Sequence, residues 1–245
     1  MVINQPALDN GLTIVIAAHN ESAIIEKTIR SLIDVFSKSI FSQFEIYVSE
    51  DGSVDDTRII VESLQREFAE VRLSETSKRL GYSKAIAKGI VEAKYATICF
   101  TDGDGQTDPH DLVELIPKLI DNTVVVGYRS PRSDSKLRLL QSNAFNLFYV
   151  SLGFPKMRDA STGSVVANTA EILPFARREI LLSYGFWWEF QAWRASQGIQ
   201  KIEVPIPHYV RASGHTQVYK ISKIFQIAWT HILGLIRLKL ELKKP

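Results

Sequence analysis

The sequence predicts an α/β domain built on a mixed, mainly parallel sheet flanked by helices, on three observations. Short β-rich runs alternate with amphipathic helical runs, the pattern of βαβ units. The chain has 245 residues, 45% hydrophobic and 23% charged, which suits one sizeable domain with a buried core. Polar clusters follow several of the apolar runs, where open α/β sheets bind ligands.

The elements follow in order. "LTIVIAA" reads as a strand. "ESAIIEKTIRSLIDVF" reads as a helix, with Ile24, Ile25, Ile29, Leu32, Ile33 and Phe36 at helical spacing. "FEIYVSE" is a second strand and "DDTRIIVESLQREFAE" a second helix, with Ile60, Leu64 and Phe68 on one face. "VRLSE", the helix "YSKAIAKGIVEA" and the strand "YATICF" keep the rhythm. From Thr123 the order is more mixed. "TVVVGYRS" is a strand and "DSKLRLLQSNAFNLFYVSLG" a helix that stops at Gly153. "GSVVAN" and "IQKIEVPI" are further strands, on either side of the aromatic "YGFWWEFQAW".

Three polar clusters are expected to converge on one crevice: "HNES", "SEDGSVDD" and "TDGDGQTD". Asn20 or Ser22, and Ser53 or Asp55, are placed to cap the helices that follow. The third cluster sets Asp102, Asp104 and Asp108 close together at a strand end. Ionised carboxylates so near one another repel unless paired or metal-bound. An EF-hand loop counted from Asp102 fails, because Thr107 stands at its glycine and Val113 at its bidentate acid. A dinucleotide fingerprint fails too, with Asp108 at the third glycine. Two carboxylates flanking Gly103 remain, suited to a hard divalent cation that also binds phosphate oxygens, or to a solvated turn.

Cys99 lies in an apolar strand pattern and reads as a buried thiol; with one cysteine no disulfide framework exists. Met1–Gly11 has neither a basic start nor an apolar run, so no leader peptide is expected. The longest apolar stretch, Phe225–Ile236, is broken by Gln226, Thr230 and His231 and falls short of the ~20 residues of a membrane span. Net charge is +2, unevenly spread. From Arg211 onward seven lysines and arginines face one acid, Glu241, which leaves the rest mildly acidic. A basic tail suggests an anionic surface as partner. In it, Ile221, Ile224, Phe225, Ala228, Ile232, Leu235 and Ile236 recur at helical spacing. That face could lie on a membrane, on the catalytic domain, or on a second copy or a membrane partner subunit.

Together the clusters resemble family-2 glycosyltransferases of the GT-A, Rossmann-like nucleotide-sugar-binding fold. "TIVIAAHNE", "EDGSVDDT", "RLGYSKAIAKGI" and "DGDGQTDP" match that family's motifs in order, and the resemblance runs from about Leu12 to Gln217. "GYR" ending at Arg129, Arg138-x-x-x-Ser142-x-x-x-Asn146, "DASTGS", "EVPI" and "RASGHTQ" narrow it toward dolichyl-phosphate or polyprenyl-phosphate mannose and glucose synthases. The chain departs from the pattern at His19, where tyrosine is usual, at Glu50, at Tyr82 and Lys84 in the glycine segment, and at Gln217.

The resemblance implies a hexosyltransferase that inverts the anomeric carbon. It would move sugar from a donor of the GDP-mannose or UDP-glucose type to a polyprenyl or dolichyl phosphate. Asp102, Asp104 and Gln106 would hold Mg²⁺ or Mn²⁺. Ala18, Asn20, Glu21, Asp51, Asp102, Gly103 and Gln106 would bind donor, and Arg129, Arg138, Ser142, Arg211 and His215 the acceptor phosphate. Asp104, Arg129, Arg138 and Arg211 would carry the chemistry. Residues 1–210 form the expected catalytic domain, and 211–245 an acceptor loop and amphipathic helix at the cytoplasmic face of a membrane. No nucleic-acid partner is expected. A transferase acting on a saccharide or protein hydroxyl would instead need a base such as Glu189 or Asp159. A non-catalytic nucleotide-sugar or membrane-binding module would keep donor binding without turnover.

Overall fold

The computed structural model describes residues 11–41, 43–74, 78–131, 136–183, 185–207, 209 and 224–242, with backbone only for 136–139, 141 and 224–228. The first half runs β1 (Leu12–Ala18), α1 (Ile25–Phe36), β2 (Phe44–Glu50), α2 (Thr57–Glu67), β3 (Val71–Leu73), α3 (Tyr82–Glu92) and β4 (Thr97–Asp102). The second half runs α4 (Pro109–Leu115) with a 3-10 turn (Ile116–Lys118), β5 (Thr123–Arg129), α5 (Lys136–Ser151), β6 (Val165–Asn168), α6 (Thr169–Arg177), α7 (Phe186–Ser196), β7 (Gln200–Ile206) and α8 (Ile224–Glu241).

The strands lie in one sheet in the order β3-β2-β1-β4-β6-β5-β7. Among the described residues, β6 alone runs antiparallel to its neighbours. The expected mixed, mainly parallel sheet is therefore present. Register sets the site: β1 pairs with β2 up to Ala18 opposite Glu50, and with β4 up to Ala17 opposite Asp102. The three polar clusters thus leave adjacent strands at the same edge. Because β6 is reversed, the residues that precede it arrive at that edge too.

Alternation along the strands separates two cores. Leu12, Ile14 and Ile16 pack with α1, α2 and α4, whereas Val15, Ile98 and Phe100 face α3, α6, α7 and α8. The buried face of α2 centres on Val61 and Leu64, with Ile60 and Phe68 at its margins. Cys99 is fully buried, and burial pushes its thiol up to about 12. Gly153, at φ +84°, stops α5 as expected. The aromatic segment becomes α7, whose rings pack edge-on against Phe100, Phe145, Tyr149 and Phe175.

α8 differs from its expected single apolar face. His231, Leu235 and Leu238 are buried against the body of the domain, while Trp229, Leu233, Ile236 and Leu240 are exposed on the opposite side. Of the positions expected on one face, Leu235 is buried, Ile232 half-buried and Ile236 exposed; Ile221 lies outside the described residues. Among the described residues, no helix is long and apolar enough to cross a membrane.

One residue limits how closely α3 can lie on the sheet. A Cβ at Gly89 would sit 2.4 Å from Val15 Cγ1, inside van der Waals contact with a fully buried strand residue. Gly89→Ala should therefore destabilise the fold by about 1–3 kcal/mol, although alanine is the better helix former. Urea unfolding checks this; an unchanged or raised midpoint would contradict the packing.

Candidate functional site

The first two clusters are cross-linked by their own side chains. Ala18, buried at the end of β1, accepts from the Asp51 backbone N–H at 2.9 Å. Asn20, at φ +56°, donates its backbone N–H to Ser53 Oγ (3.0 Å), and its Oδ1 accepts from the Val54 N–H (2.9 Å). The Glu21 N–H donates to Thr57 Oγ1 at 2.8 Å, and the Ser22 N–H to Asp55 Oδ2 at 3.2 Å. Asn20 and Ser22 therefore do not cap α1. The Glu21 carbonyl accepts from Ile24 and Ile25 there, and α1 begins with no side-chain cap. Asp55 is not the N-cap of α2 either: Asp56 holds that place without a side-chain cap bond, and Asp55, one residue earlier, accepts from the Thr57 N–H at 3.1 Å.

Asp51 is buried, and its carboxylate accepts the backbone N–H groups of Leu80 and Gly81, the latter at 2.8 Å. Gly81 is the residue before α3, at φ +89°. The second cluster thereby fixes where α3 begins, and Tyr82 is its first residue.

The third cluster turns at the end of β4. Asp102 is exposed and Asp104 half-buried, with Asp104 Oδ1 accepting from the Gln106 N–H at 3.1 Å. The Tyr82 hydroxyl donates to Asp102 Oδ1 at 3.3 Å, and the Trp187 indole N–H donates to that hydroxyl at 2.9 Å. Burial, then the charge of Asp102, raises the Tyr82 phenol well above its ordinary value. Gly163, just before β6, lies against the same carboxylate, where a Cβ would come within 3.1 Å of Asp102 Oδ1. Gly103 is buried between Ile16 and Ile25.

Gln106 forms a two-way clip with the chain leaving β7. Its Nε2 donates to the Tyr209 carbonyl (3.0 Å), and the Tyr209 N–H donates to its carbonyl (3.3 Å). Arg129, at the end of β5, makes a forked pair with buried Asp159, Nε–Oδ2 2.6 Å and Nη2–Oδ1 2.9 Å, and also binds Ser161 Oγ. Ser142 lies half-buried on α5; Arg138 is on the same helix, its side chain not among those described. Arg211 and His215 lie outside the described residues.

Glu189 does not face the crevice as a base. Arg178 Nη1 sits 2.6 Å from Oε1, and the N–H groups of Leu181 and Leu182 donate to Oε2 at 2.8 Å each. Burial raises its carboxyl, against these opposing bonds. It anchors a segment that Ser83 of α3 also grips through the Leu182 carbonyl.

The sheet edge thus brings together Ala18, Asn20, Glu21, Asp51, Asp102, Gly103, Asp104, Gln106 and Arg129. Motif matching passed over Tyr82, Trp187, Gly163 and Tyr209. Tyr82 was visible only as a departure from the family pattern, and Trp187 only as one aromatic among many. Asp102 and Asp104 offer hard oxygen donors at a solvent-facing strand end, the type that Mg²⁺ or Mn²⁺ takes. No cluster of three or more His, Cys, Asp or Glu suited to a metal exists among the described residues, so such an ion would need further oxygens from a phosphate-bearing ligand and water.

Residues 13–185 match the family model described as Glycosyl transferase family 2. Glycosyltransferase AglD of Haloferax volcanii is 30% identical over 109 residues, 44% of this chain and 18% of that protein. The dodecaprenyl-phosphate galacturonate synthase of Rhizobium johnstonii is 24% identical, over 91% of this chain and 66% of its own. A dolichyl-phosphate beta-glucosyltransferase of Dictyostelium discoideum is 25% identical, over 66% of this chain and 56% of its own. The chain thus spans less than two thirds of the length of each of these relatives. Among solved structures, glucosyl-3-phosphoglycerate synthase from Mycobacterium tuberculosis with Mg²⁺ and uridine diphosphate superposes at a TM-score of 0.69. It is 18% identical and covers 94% of this chain and 79% of that one, a likeness of fold.

Asp55 carries a pH signature. Burial would raise its carboxyl, but hydrogen bonds from Thr57 and Ser22 outweigh that and hold it at about 2, below the ordinary 3.8. A depressed folded-state value gives stability that is present above about pH 4 and lost as pH falls toward 2. Allowing for solvent screening, that is about 1 kcal/mol. Asp55→Asn should flatten the acid limb of a stability–pH curve in that window. A curve of unchanged shape would contradict the assignment.

Proposed function

The chain belongs to glycosyl transferase family 2, and we propose that it is a metal-dependent, inverting hexosyltransferase. It uses a nucleotide sugar of the GDP-mannose or UDP-glucose type and a polyprenyl or dolichyl phosphate acceptor. The observation that carries this reading is the Asp102/Asp104 pair at the end of β4, on the edge where the first two clusters lock together. The polyprenyl- and dolichyl-phosphate transferases among its relatives support the acceptor class. The Mg²⁺ and uridine diphosphate in the fold neighbour support the donor chemistry.

Ala18, Asn20 and Glu21, with Asp51 and the Leu80–Gly81 turn that it holds, form the nucleotide side. Asp102 and Asp104 hold Mg²⁺ or Mn²⁺, which supplies Lewis-acid stabilisation of the leaving diphosphate. Gln106, whose amide N–H is committed to Tyr209, joins them only through its side-chain carbonyl. A phosphate monoester has a second pKa of about 6, so the acceptor arrives ionised and needs no strong base. The engagement of both Glu189 oxygens in structural bonds fits that economy. Arg129, held by Asp159, shapes the turn beside the reacting centre, and Arg138, Ser142, Arg211 and His215 grip the acceptor phosphate. Guanidinium forks match its oxygens. A single in-line displacement then inverts the anomeric carbon.

The exposed row Trp229, Leu233, Ile236 and Leu240 is the membrane face. With the lysines and arginines of the last 26 residues it would hold the protein peripherally at the cytoplasmic leaflet.

Incubation with a panel of radiolabelled nucleotide sugars, Mn²⁺ and polyprenyl phosphates tests the reading; no lipid-linked product under any pairing would overturn it. Asp104→Asn should lower turnover at least about a hundredfold with the fold intact, and EDTA should do the same. Full activity in EDTA would remove the metal.

Because one face of α8 is core, truncation would unfold what it tests. Replacing Trp229 and Leu233 with serine should instead release the protein from anionic liposomes at unchanged melting temperature. Undiminished co-sedimentation would contradict the membrane face.

A further inference from the structure

Tyr82 is singled out by three contacts. Its ring stands at the first residue of α3, whose start is pinned by the Asp51 carboxylate through Leu80 and Gly81. Its oxygen accepts the Trp187 indole N–H at 2.9 Å. Its hydroxyl proton is thereby directed away from the indole and onto Asp102 Oδ1, at 3.3 Å. A phenol has one proton and an indole N–H can only donate, so the order of the chain, Trp187 to Tyr82 to Asp102, is fixed by chemistry. Trp187 itself is buried, edge-on to Phe100 of β4.

Asp102 is the last residue of β4, and its carboxylate lies at the solvent-facing end of that strand. Gly163 closes in on it from the β6 side, where a Cβ would come within 3.1 Å of Oδ1 and oblige the carboxylate to give way. We propose that Tyr82, backed by Trp187, is a positioning residue that sets the rotamer of Asp102 for the divalent cation. The inference rests on the metal-dependent reading above. The 3.3 Å contact is longer than the usual ~2.7 Å between a hydroxyl and a carboxylate. Hydrogen bonds of this kind commonly tighten when the ligand arrives. Partners that orient a metal ligand typically matter about 10–100-fold in metal affinity.

The test is calorimetry of whichever of UDP and GDP the wild-type chain binds more tightly, with Mn²⁺ and separately in EDTA. Electron paramagnetic resonance of bound Mn²⁺ gives a second readout. Tyr82→Phe keeps the ring and loses only the hydroxyl. It should weaken Mn²⁺-dependent nucleotide binding about tenfold and reduce the bound Mn²⁺ signal. Binding in EDTA should stay as in wild type, while the buried indole N–H that loses its acceptor lowers the melting temperature slightly. Trp187→Phe should shift the same measurement in the same direction by a smaller factor, about threefold, and add little on top of Tyr82→Phe. Wild-type affinity in Tyr82→Phe with Mn²⁺, or an equal loss with Mn²⁺ and EDTA, overturns the inference alone. Trp187→Phe that binds as wild type overturns the part given to the indole. Wild-type nucleotide binding that is indifferent to Mn²⁺ overturns the function proposed above, and this inference with it.

Discussion

Five carboxylates, Glu50, Asp51, Asp55, Asp102 and Asp104, reach one edge of the sheet, and ionised groups so close together are tolerated only where each is given donors or a cation. The chain answers this differently from one cluster to the next. Asp55 is supplied by Thr57 and Ser22, and Asp51 by the Leu80 and Gly81 N–H groups. Glu50 takes the Ser53 N–H and sits 3.5 Å from Arg58. These three are built into the walls. Asp102 and Asp104 stand farther toward solvent, within reach of what the crevice binds.

The same bonds serve position as well as charge. Two acids of the second cluster tie down a neighbouring segment: Asp55 holds the turn after β1, and Asp51 the start of α3. Through α3 the effect passes to the third cluster, because Tyr82 is the next residue along. The clusters are thus a linked frame, not three independent motifs.

Much of this was legible beforehand. Alternating periods gave β1–β4 and α1–α3, and the polar clusters gave the crevice, because in a parallel sheet chain order and strand polarity fix which ends meet. The reversal of β6 was not legible, since a four-residue apolar run carries no direction. α6 was missed because Pro174 interrupts a pattern that tertiary packing nonetheless completes. α8 misled because period alone cannot say which of two apolar faces is covered; Leu235 and Leu238 went to the core and Leu233 and Leu240 outward. Within the site, acids and arginines were visible as residue types, but their partners were not. Nothing in the spacing of Arg129 and Asp159, or of Tyr82 and Trp187, announces a contact across 30 or 105 positions.

The clip between Gln106 and Tyr209 has a consequence for how such a protein can diversify. Both the loop bearing the acid pair and the outgoing chain are fixed at that point, and α8 is fixed again where His231 and Leu235 enter the core. The acid-bearing loop and the chain that follows β7 thus share one fastening, whereas the bonds that lock the first two clusters together run between those clusters alone. A change at Gln106 would be felt on the β7 side and spare the far half, so lineages could remodel one wall of the crevice and inherit the other intact.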